Sequence, residues 1–322
     1  MQPLLFTPIY RRYLWGGRRF ASLLGRDLPP GDDYAESWEL VDRGSDQSVV
    51  ACGSLAGTML SELVRTRGTE LLGHHAPLPA FPLLFKFLDA SHDLSVQVHP
   101  DDARASQLTP PDRGKTEAWY VIDAVPGSRI YAGLRTGTSR DDLAAALQAG
   151  RCGDVLHSFV PHRGDCIFIP AGTVHAIGAG LMVAEIQQSS DVTYRLHDWN
   201  RVGPDGKPRA MHIEAGLEAV THFEPVAPVV GEPTSDPAVR RLVTNGYFLL
   251  DEVCPNRTWQ VGGDDTCHFL AVLSGSIRLE PRWGLPNLGM GSCVLLPAAA
   301  GRQTIEALKS AGNAQLLHIR MP

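Results

Sequence analysis

The chain has 322 residues, 20% of them charged, and a formal net charge of −6 at pH 7. This length suits two domains rather than one core. The weak negative charge excludes a broad electrostatic attraction for nucleic acid or anionic lipid. No apolar run is long enough to cross a bilayer, and the start, MQPLLFTPIYRR, lacks the pattern of a signal peptide. We therefore expect neither nucleic acid nor a membrane as a partner.

The six cysteines are scattered and contain no CxxC pair. This distribution is typical of reduced thiols rather than of a disulfide framework. We therefore expect a cytoplasmic protein. Nothing in the sequence fixes its oligomeric state.

Strand-like segments dominate the chain and are separated by turn residues. In order they include FPLLFKFLDA, LSVQVH, AWYVIDA, CIFIPA, LMVAEIQQ, YFLLDEV, HFLAVLSGSIRLE and SCVLLPA. Helical patterns are few and cover roughly 58–67, 140–149 with Gly150 as a C-terminal stop, and 213–220. The sequence thus predicts a mainly β fold, a sandwich or barrel, with a few attached helices.

A proline-rich segment divides the chain. Pro225, Pro228, Pro233 and Pro237 all fall between residues 223 and 239. This density is incompatible with a regular core element. We expect a domain at 1–223, a linker at 224–239 and a second domain at 240–322.

A repeated pattern supports two related domains. GDCIFIPAGTVH at 164–175 and GSCVLLPAAAGR at 291–302 share a glycine, an apolar strand and a Pro-Ala turn. Arg302 stands in the second copy where His175 stands in the first. We interpret the repeat as two β-barrels that use the same strand and turn. Only the first is expected to hold a metal.

Four residues on three separate segments have metal-ligand chemistry. Gln97 and His99 are two apart in a predicted strand, so both side chains leave the same face. Glu117 directly precedes AWYVIDA, and His175 follows the Pro-Ala-Gly turn. Two imidazoles, one carboxylate and one amide oxygen suit a borderline divalent ion such as zinc. The mixed set is typical of a catalytic rather than a structural site.

Two lysines accompany these residues. Lys115 lies two positions from Glu117 and is expected to point into the same mouth, where it contacts substrate or pairs with that carboxylate. Lys86 interrupts the apolar LLFKFLD and needs a carboxylate, a phosphate or water. Near a metal, we expect the pKa of Lys86 to fall far enough for proton transfer.

Longer motifs resemble a known family. GDCIFIPAGTVH is similar to the second signature of the cupin superfamily, small jelly-roll barrels that hold a metal in the mouth. FPLLFKFLDASHDLSVQVHPDD, GKTEAWYVIDA, IPAGTVHAIGAG and EIQQSSDVTYRLHDWNR resemble the motifs of type I mannose-6-phosphate isomerases in their short bacterial form, with YLWGG and AESWEL in support. The resemblance extends to about Val220, and the last third is similar only to a degenerate second cupin.

The resemblance implies two cupin-like jelly-roll barrels and a zinc-dependent isomerase. Such an enzyme interconverts mannose 6-phosphate and fructose 6-phosphate through an enediol(ate). The family pattern assigns one Zn²⁺ per chain to Gln97, His99, Glu117 and His175. It implies that Arg195 holds the enediolate or phosphate, and that Glu185 faces the cavity as a proton shuttle or a partner of a lysine.

Several assignments stay open at the level of sequence. The general base is Lys86, Lys115, Glu185 or a metal-bound water. No glycine-rich phosphate loop is present, so the expected phosphate contacts are Ser91, Lys115 and Arg195.

Two other functions fit parts of the pattern. One is an isomerase of a different sugar phosphate, and the other is a cupin that binds a metal or sugar without turning it over. Lys86, Lys115 and Arg195 argue against the second, because simple binding needs no cations matched to an enediolate.

Overall fold

The computed structural model describes residues 1–203, 206–308 and 313–322. Within these ranges the helices are α1 Arg19–Ser22, α2 Leu60–Leu72, α3 Asp102–Ala105, α4 Arg140–Gln148 and α5 Ile213–Ala219. The strands up to residue 200 are β1 Phe6–Thr7, β2 Ile9–Gly17, β3 Tyr34–Leu40, β4 Asp42–Arg43, β5 Asp46–Gln47, β6 Val49–Val50, β7 Leu83–Ala90, β8 Val96–Val98, β9 Glu117–Ala124, β10 Ile130–Leu134, β11 Leu156–Phe159, β12 Cys166–Ile169, β13 His175–Ile177, β14 Leu181–Gln188 and β15 Tyr194–His197. The later strands are β16 Glu232–Pro233, β17 Val239–Thr244, β18 Leu249–Val253, β19 Thr258–Val261, β20 His268–Ser274, β21 Ser276–Arg278, β22 Leu288–Gly289, β23 Cys293–Leu296, β24 Gln303–Ala307 and β25 Gln315–Arg320.

The larger sheets fall into two pairs, each drawn from one part of the chain. The first pair joins a six-stranded sheet, β12-β9-β14-β7-β3-β2, to a five-stranded sheet, β11-β10-β13-β8-β15. The second pair joins a six-stranded sheet, β16-β17-β18-β25-β20-β23, to a four-stranded sheet, β19-β24-β21-β22. Neighbouring strands run antiparallel, as in β14 with β7 and β20 with β25. The predicted mainly β fold with few helices is confirmed.

Each sheet pair encloses an apolar core of its own. One cluster includes Trp119, Val121, Ile130, Ile177 and Val183, and the other includes Trp259, Leu270, Ile277, Ile305 and Leu316. We propose that the two pairs are the two barrels predicted from the sequence, divided near 224–239. Strand β16 lies inside that segment and pairs with β17, so the second pair begins within the proposed linker.

The two six-stranded sheets pack against each other through a third cluster, which explains why whole strands are buried. All eight residues of β7 are buried. Phe85 and Phe87 face the other sheet pair, and the ring centroids of Phe85 and Phe269 are 5.0 Å apart. Because side chains alternate along a strand, the intervening Lys86 and Leu88 face the interior of the first pair.

The helices lie close to their predicted positions. Ser139 and Asp142 form a capping box at the start of α4, which ends at Gln148 as expected. Helix α2 runs five residues beyond the predicted end at Arg67, where non-helical dihedrals produce a kink before the helix resumes. Among the described residues, no helix is both long and apolar enough to span a membrane.

Candidate metal centre and its cavity

The strand registers of the first sheet pair bring the predicted site residues together. In the six-stranded sheet, Gln187 pairs with Glu117, and Glu185 pairs with Lys86. In the five-stranded sheet, His175 pairs with Gln97. The side chains of Glu117, Glu185 and Lys86 leave the inward face of their sheet, because their neighbours Ala118, Ile186 and Phe87 belong to the outer cluster.

The Pro-Ala-Gly turn fixes the strand that carries His175. Gly172 has a φ of +87°, a conformation that favours glycine, and its N–H donates to the carbonyl of His99 at 2.8 Å. A Cβ at Gly172 would lie 1.9 Å from Thr221 Oγ1. The turn therefore ties the chain before β13 directly to the chain after β8.

Three buried side chains converge at one point. The Nε2 atom of His99 lies 3.5 Å from Glu117 Oε2, and the Nε2 atom of His175 lies 3.3 Å from Glu117 Oε1. The three prospective ligand atoms all lie within 4.8 Å of one another, and each side chain is 1% exposed. Within the described residues this is the one cluster of three or more His, Cys, Asp or Glu groups with metal-ligand geometry.

Backbone carbonyls orient both imidazoles. The Nδ1 atom of His99 lies 2.8 Å from the Val192 carbonyl, and the Nδ1 atom of His175 lies 2.9 Å from the Thr173 carbonyl. A carbonyl can only accept, so each Nδ1 carries the proton and each Nε2 presents a lone pair to the centre. Such outer hydrogen bonds fix the tautomer of metal-binding histidines.

Burial keeps these imidazoles neutral. It lowers the pKa of His175 to about 4, and burial together with the charge of Lys115 lowers the pKa of His99 well below its usual value. Glu117 Oε2 is buried and makes no hydrogen bond. Two neutral Nε2 donors and an unsaturated carboxylate oxygen fit a divalent cation such as zinc.

Gln97 and Trp119 complete this side of the centre. The amide nitrogen of Gln97 lies 3.2 Å from His175 Nε2, so a 180° rotation of the amide brings its oxygen to the centre. Trp119 packs edge-on against the ring of His175, with centroids 5.3 Å apart. The predicted ligands therefore lie together.

Lys115 occupies the predicted face. Its Nζ lies 3.2 Å from Glu117 Oε2 and 3.1 Å from His99 Nε2. It also lines the cavity above the centre. Lys115 can therefore pair with the carboxylate and reach a bound molecule.

Lys86 has the carboxylate partners that a lysine in an apolar strand needs. Its Nζ lies 3.3 Å from Glu185 Oε1 and 3.4 Å from Glu36 Oε2. Burial alone would lower the pKa of Lys86, but the carboxylates of Glu185, Glu36 and Glu117 outweigh burial and raise it. Lys86 is therefore held as a cation between the carboxylates of Glu185 and Glu36.

Glu185 has a carboxyl suited to proton transfer. Burial and the nearby Glu117 carboxylate, partly offset by Lys86, raise the pKa of Glu185 to about 7. The side chain is 4% exposed, and its Oε1 makes no hydrogen bond. A carboxyl whose pKa lies near the working pH can both take up and release a proton.

Arg195 lines the same cavity, and among the residues that the structure describes no carboxylate lies within hydrogen-bond reach of its guanidinium. One guanidinium nitrogen donates to the Ala210 carbonyl at 2.8 Å, while Nε is buried without a partner. Burial and the charge of Arg209 lower the pKa of Arg195. An incoming oxyanion would relieve both effects.

Ser91 is not brought to this group. It is exposed, its N–H donates to the Trp15 carbonyl, and it lies outside the cavity lining. The other predicted residues except the buried ligands His99, Glu117 and His175 line one cavity of about 310 Å³.

The cavity also contains residues that were not predicted. Glu36 forms an ion pair with Lys86. The signal in the sequence for such a carboxylate is Lys86 itself, because a lysine in an apolar strand needs partners. Arg209 lines the cavity while its guanidinium is held by Asp198 at 2.6 and 2.7 Å. No spacing rule connects Arg209 to the site, since it follows a long loop. Tyr13 and Trp15 supply an aromatic wall.

An antiparallel β fold with a buried two-histidine, one-carboxylate centre beneath a cation-lined cavity defines a protein with a candidate catalytic metal site. Residues 4–118 match the family model described as phosphomannose isomerase type I, catalytic domain. The chain is 33% identical over 312 residues to a probable mannose-6-phosphate isomerase, GmuF, of Bacillus subtilis, covering 94% of this chain and 96% of that one. It is also 33% identical over 331 residues to the mannose-6-phosphate isomerase of Streptococcus mutans, covering 98% and 97%.

A solved structure gives the same picture. The crystal structure of mannose 6-phosphate isomerase from Bacillus subtilis superimposes with a TM-score of 0.90 at 29% identity, over 99% of both chains. This chain belongs to the type I mannose-6-phosphate isomerase family.

Proposed function

We propose that this protein is a cytoplasmic, zinc-dependent isomerase that interconverts mannose 6-phosphate and fructose 6-phosphate. The observation that carries the proposal is the meeting of His99, Glu117 and His175 beneath a cavity lined by Lys86, Lys115 and Arg195. Family membership supports the substrate. The six cysteines are free, which supports a reducing compartment.

In this proposal the ion is held by His99, His175, Glu117 and the flipped amide of Gln97, one Zn²⁺ per chain. When bound, zinc supplies a Lewis acid that polarises neighbouring oxygens of the open-chain sugar. Arg195 and Lys115 hold anionic oxygens of the substrate, as their position at the cavity wall allows. Ser91 is left out, because it lies away from the cavity.

We assign the proton transfer between C1 and C2 to Glu185. Its Oε1 forms an ion pair with Lys86 Nζ at 3.3 Å, so the ammonium stabilises the carboxylate whenever the proton is on the sugar. Tyr13, Trp15 and Trp119 limit water access to the carbon from which the proton leaves. Lys86 orients the shuttle and keeps its charge throughout.

The proposal is tested by one set of assays on purified protein. Metal content is measured first, and isomerisation of mannose 6-phosphate is then followed before chelation, after chelation and after zinc is restored. We expect about one zinc per chain, loss of activity on chelation and recovery with zinc. Glucose 6-phosphate in the same assay separates a change in substrate preference from loss of function. Full activity in metal-free protein contradicts the proposal.

A further inference from the structure

The second sheet pair has a polar mouth at the positions that form the catalytic mouth of the first. Glu117 pairs with Ile169 across β9 and β12, and His268 pairs with Leu296 across β20 and β23. Ile169 and Leu296 both precede the proline of the repeated turn. His268 therefore stands in the second pair where Glu117 stands in the first.

The same correspondence continues across the sheet. In the first pair Glu185 faces Lys86 on the next strand, and in the second His318 faces Asp251 on the next strand. Arg302 occupies the position of His175 in the repeat. One cavity of about 400 Å³, which we call the second mouth, is lined by Asp251, His268, Arg302 and His318. Asp251, His268 and His318 are 1%, 2% and 4% exposed.

The second mouth is not arranged for a metal. His268 Nδ1 and His318 Nε2 lie 2.8 Å apart and are hydrogen-bonded to each other. The other nitrogen of His268 lies 2.8 Å from Asp264 Oδ1, and that of His318 lies 3.5 Å from Asp251 Oδ2. Each ring nitrogen is thus directed at another side chain, and none presents a free lone pair to a common point.

Three arginines and three aspartates line the second mouth, Arg241, Arg302, Arg320, Asp236, Asp251 and Asp264, so its formal charges balance and the pairing of each arginine decides which one is open to a ligand. Asp251 is held by Arg241 and His318, and Asp264 is held by His268. Arg320 reaches Asp251 only at 3.8 Å. Arg302 is exposed and makes no ion pair or side-chain hydrogen bond with any residue that the structure describes.

Two glycines add unused donors at the same rim. Gly262 and Gly263 line the cavity with φ values of +81° and +85°. Their N–H groups donate to no acceptor within the described part of the chain. Free backbone amides beside guanidinium groups are typical of anion sites.

We propose that the second mouth binds a phosphate group, either free or carried by a small metabolite, through Arg302, Arg320 and the amides of Gly262 and Gly263. The hydrogen-bonded chain Asp264, His268, His318 and Asp251 forms the rigid floor. This site is separate from the proposed isomerase centre, since the two are built by different sheet pairs. Its failure would leave the isomerase proposal untouched.

Tryptophan indole resonances allow the two mouths to be observed separately. Trp259 lines the second mouth, and Trp15 and Trp119 line the first. The full chain, labelled with ¹⁵N-tryptophan and assigned by single Trp→Phe substitutions, is titrated with inorganic phosphate and then with mannose 6-phosphate. We expect a saturable shift of the Trp259 resonance that Arg302→Ala weakens at least about tenfold.

Arg257→Ala is the matched control, because Arg257 is exposed in the same part of the chain and lies outside the second mouth. It should leave the Trp259 titration unchanged, and Arg302→Ala should leave the Trp119 titration unchanged. A response to both titrants identifies the phosphate group itself as the ligand, and a response to mannose 6-phosphate alone identifies a carried phosphate. The proposal is overturned if neither titrant shifts Trp259 or if Arg302→Ala titrates like the wild type. Arg302→Glu reverses the charge and serves as a second test: the proposal predicts that it abolishes the phosphate-dependent shift of the Trp259 resonance, and a normal shift in this variant also overturns the proposal.

Discussion

The two mouths place different residues at corresponding strand positions, and their histidines also have different hydrogen-bond partners. Both contain a pair of buried histidines at neighbouring positions. In the first mouth, His99 and His175 each use Nδ1 on a backbone carbonyl and direct Nε2 toward the Glu117 carboxylate. In the second, His268 and His318 are bonded to each other and to carboxylates. The comparison teaches that the partner on the far side of an imidazole decides whether it can bind a metal.

The largest expected effect is on metal content. His99→Ala removes one of two Nε2 donors, so metal should fall from about one ion per chain to near zero after dialysis. His268→Ala should leave metal content unchanged, since the second mouth offers no free lone pair. Both are measured by elemental analysis of the purified protein. Equal metal loss in the two variants would contradict the conclusion that only the first mouth can bind a metal.

A catalytic difference should follow at Glu185. Glu185→Gln removes the titrating carboxyl and should lower kcat by a factor of about 10² to 10⁴ while zinc is retained. In the wild type, kcat/KM should fall as the pH drops below about 7, because protonated Glu185 cannot accept a proton. Steady-state assays across pH check both. Glu306→Gln, an exposed carboxylate paired with Arg278 in the second sheet pair, is the control and should retain full activity.

Protonation of His268 in the second mouth should lower the free energy of unfolding in mild acid. Burial first, and the neighbouring His318 next, lower the pKa of His268 to about 4 from an ordinary value of 6.5. Between these values the unfolded chain binds more protons than the folded one, so stability falls as the pH drops from about 6.5 toward 4. In the His268→Gln variant, the loss in the free energy of unfolding between pH 6.5 and 4 should be smaller than in the wild type by roughly 1 to 3 kcal/mol. Urea unfolding of metal-free protein at several pH values measures it. An unchanged pH slope would contradict the assignment of neutral imidazoles.

The smallest effect concerns the contact between the two sheet pairs. The Tyr120 hydroxyl donates to Glu252 Oε1 at 2.5 Å, and Gln315 donates to both groups. Tyr120→Phe should lower the free energy of unfolding by about 1 to 2 kcal/mol, because Glu252 loses a buried donor. Tyr247→Phe removes a more exposed hydroxyl, which donates to Asp102, and should change stability by less than about 0.5 kcal/mol. Urea titrations of the two variants compare them directly.

The sequence predicted the first mouth well because its ligands obey short-range rules. Gln97 and His99 share a strand face through their two-residue spacing, and His175 follows a recognisable turn. Glu36 and Arg209 could not be placed, because strand order and loop path bring them to the cavity. Ser91 was expected at the substrate and lies outside for the same reason.

Apart from Arg302, the residues of the second mouth could not be predicted from the sequence. His268 and His318 are 50 residues apart and have no common signature, and they meet only because β20 and β25 are neighbours in the sheet. The repeat did predict the frame that places Arg302. The packing of the two six-stranded sheets also required three-dimensional information, since uniformly apolar strands do not indicate which neighbour covers each face.

The shared seam between the six-stranded sheets constrains how this chain can change in length. Along β9, Trp119 lines the catalytic cavity, while its neighbour Tyr120 donates a hydrogen bond to Glu252 across the seam. The residue before Glu252, Asp251, lines the second mouth. Deleting one residue within β9 would turn side chains of the catalytic cavity into the seam and side chains of the seam into the cavity. We therefore expect insertions and deletions to be tolerated in the connecting loops and not in the strands that separate a mouth from the seam.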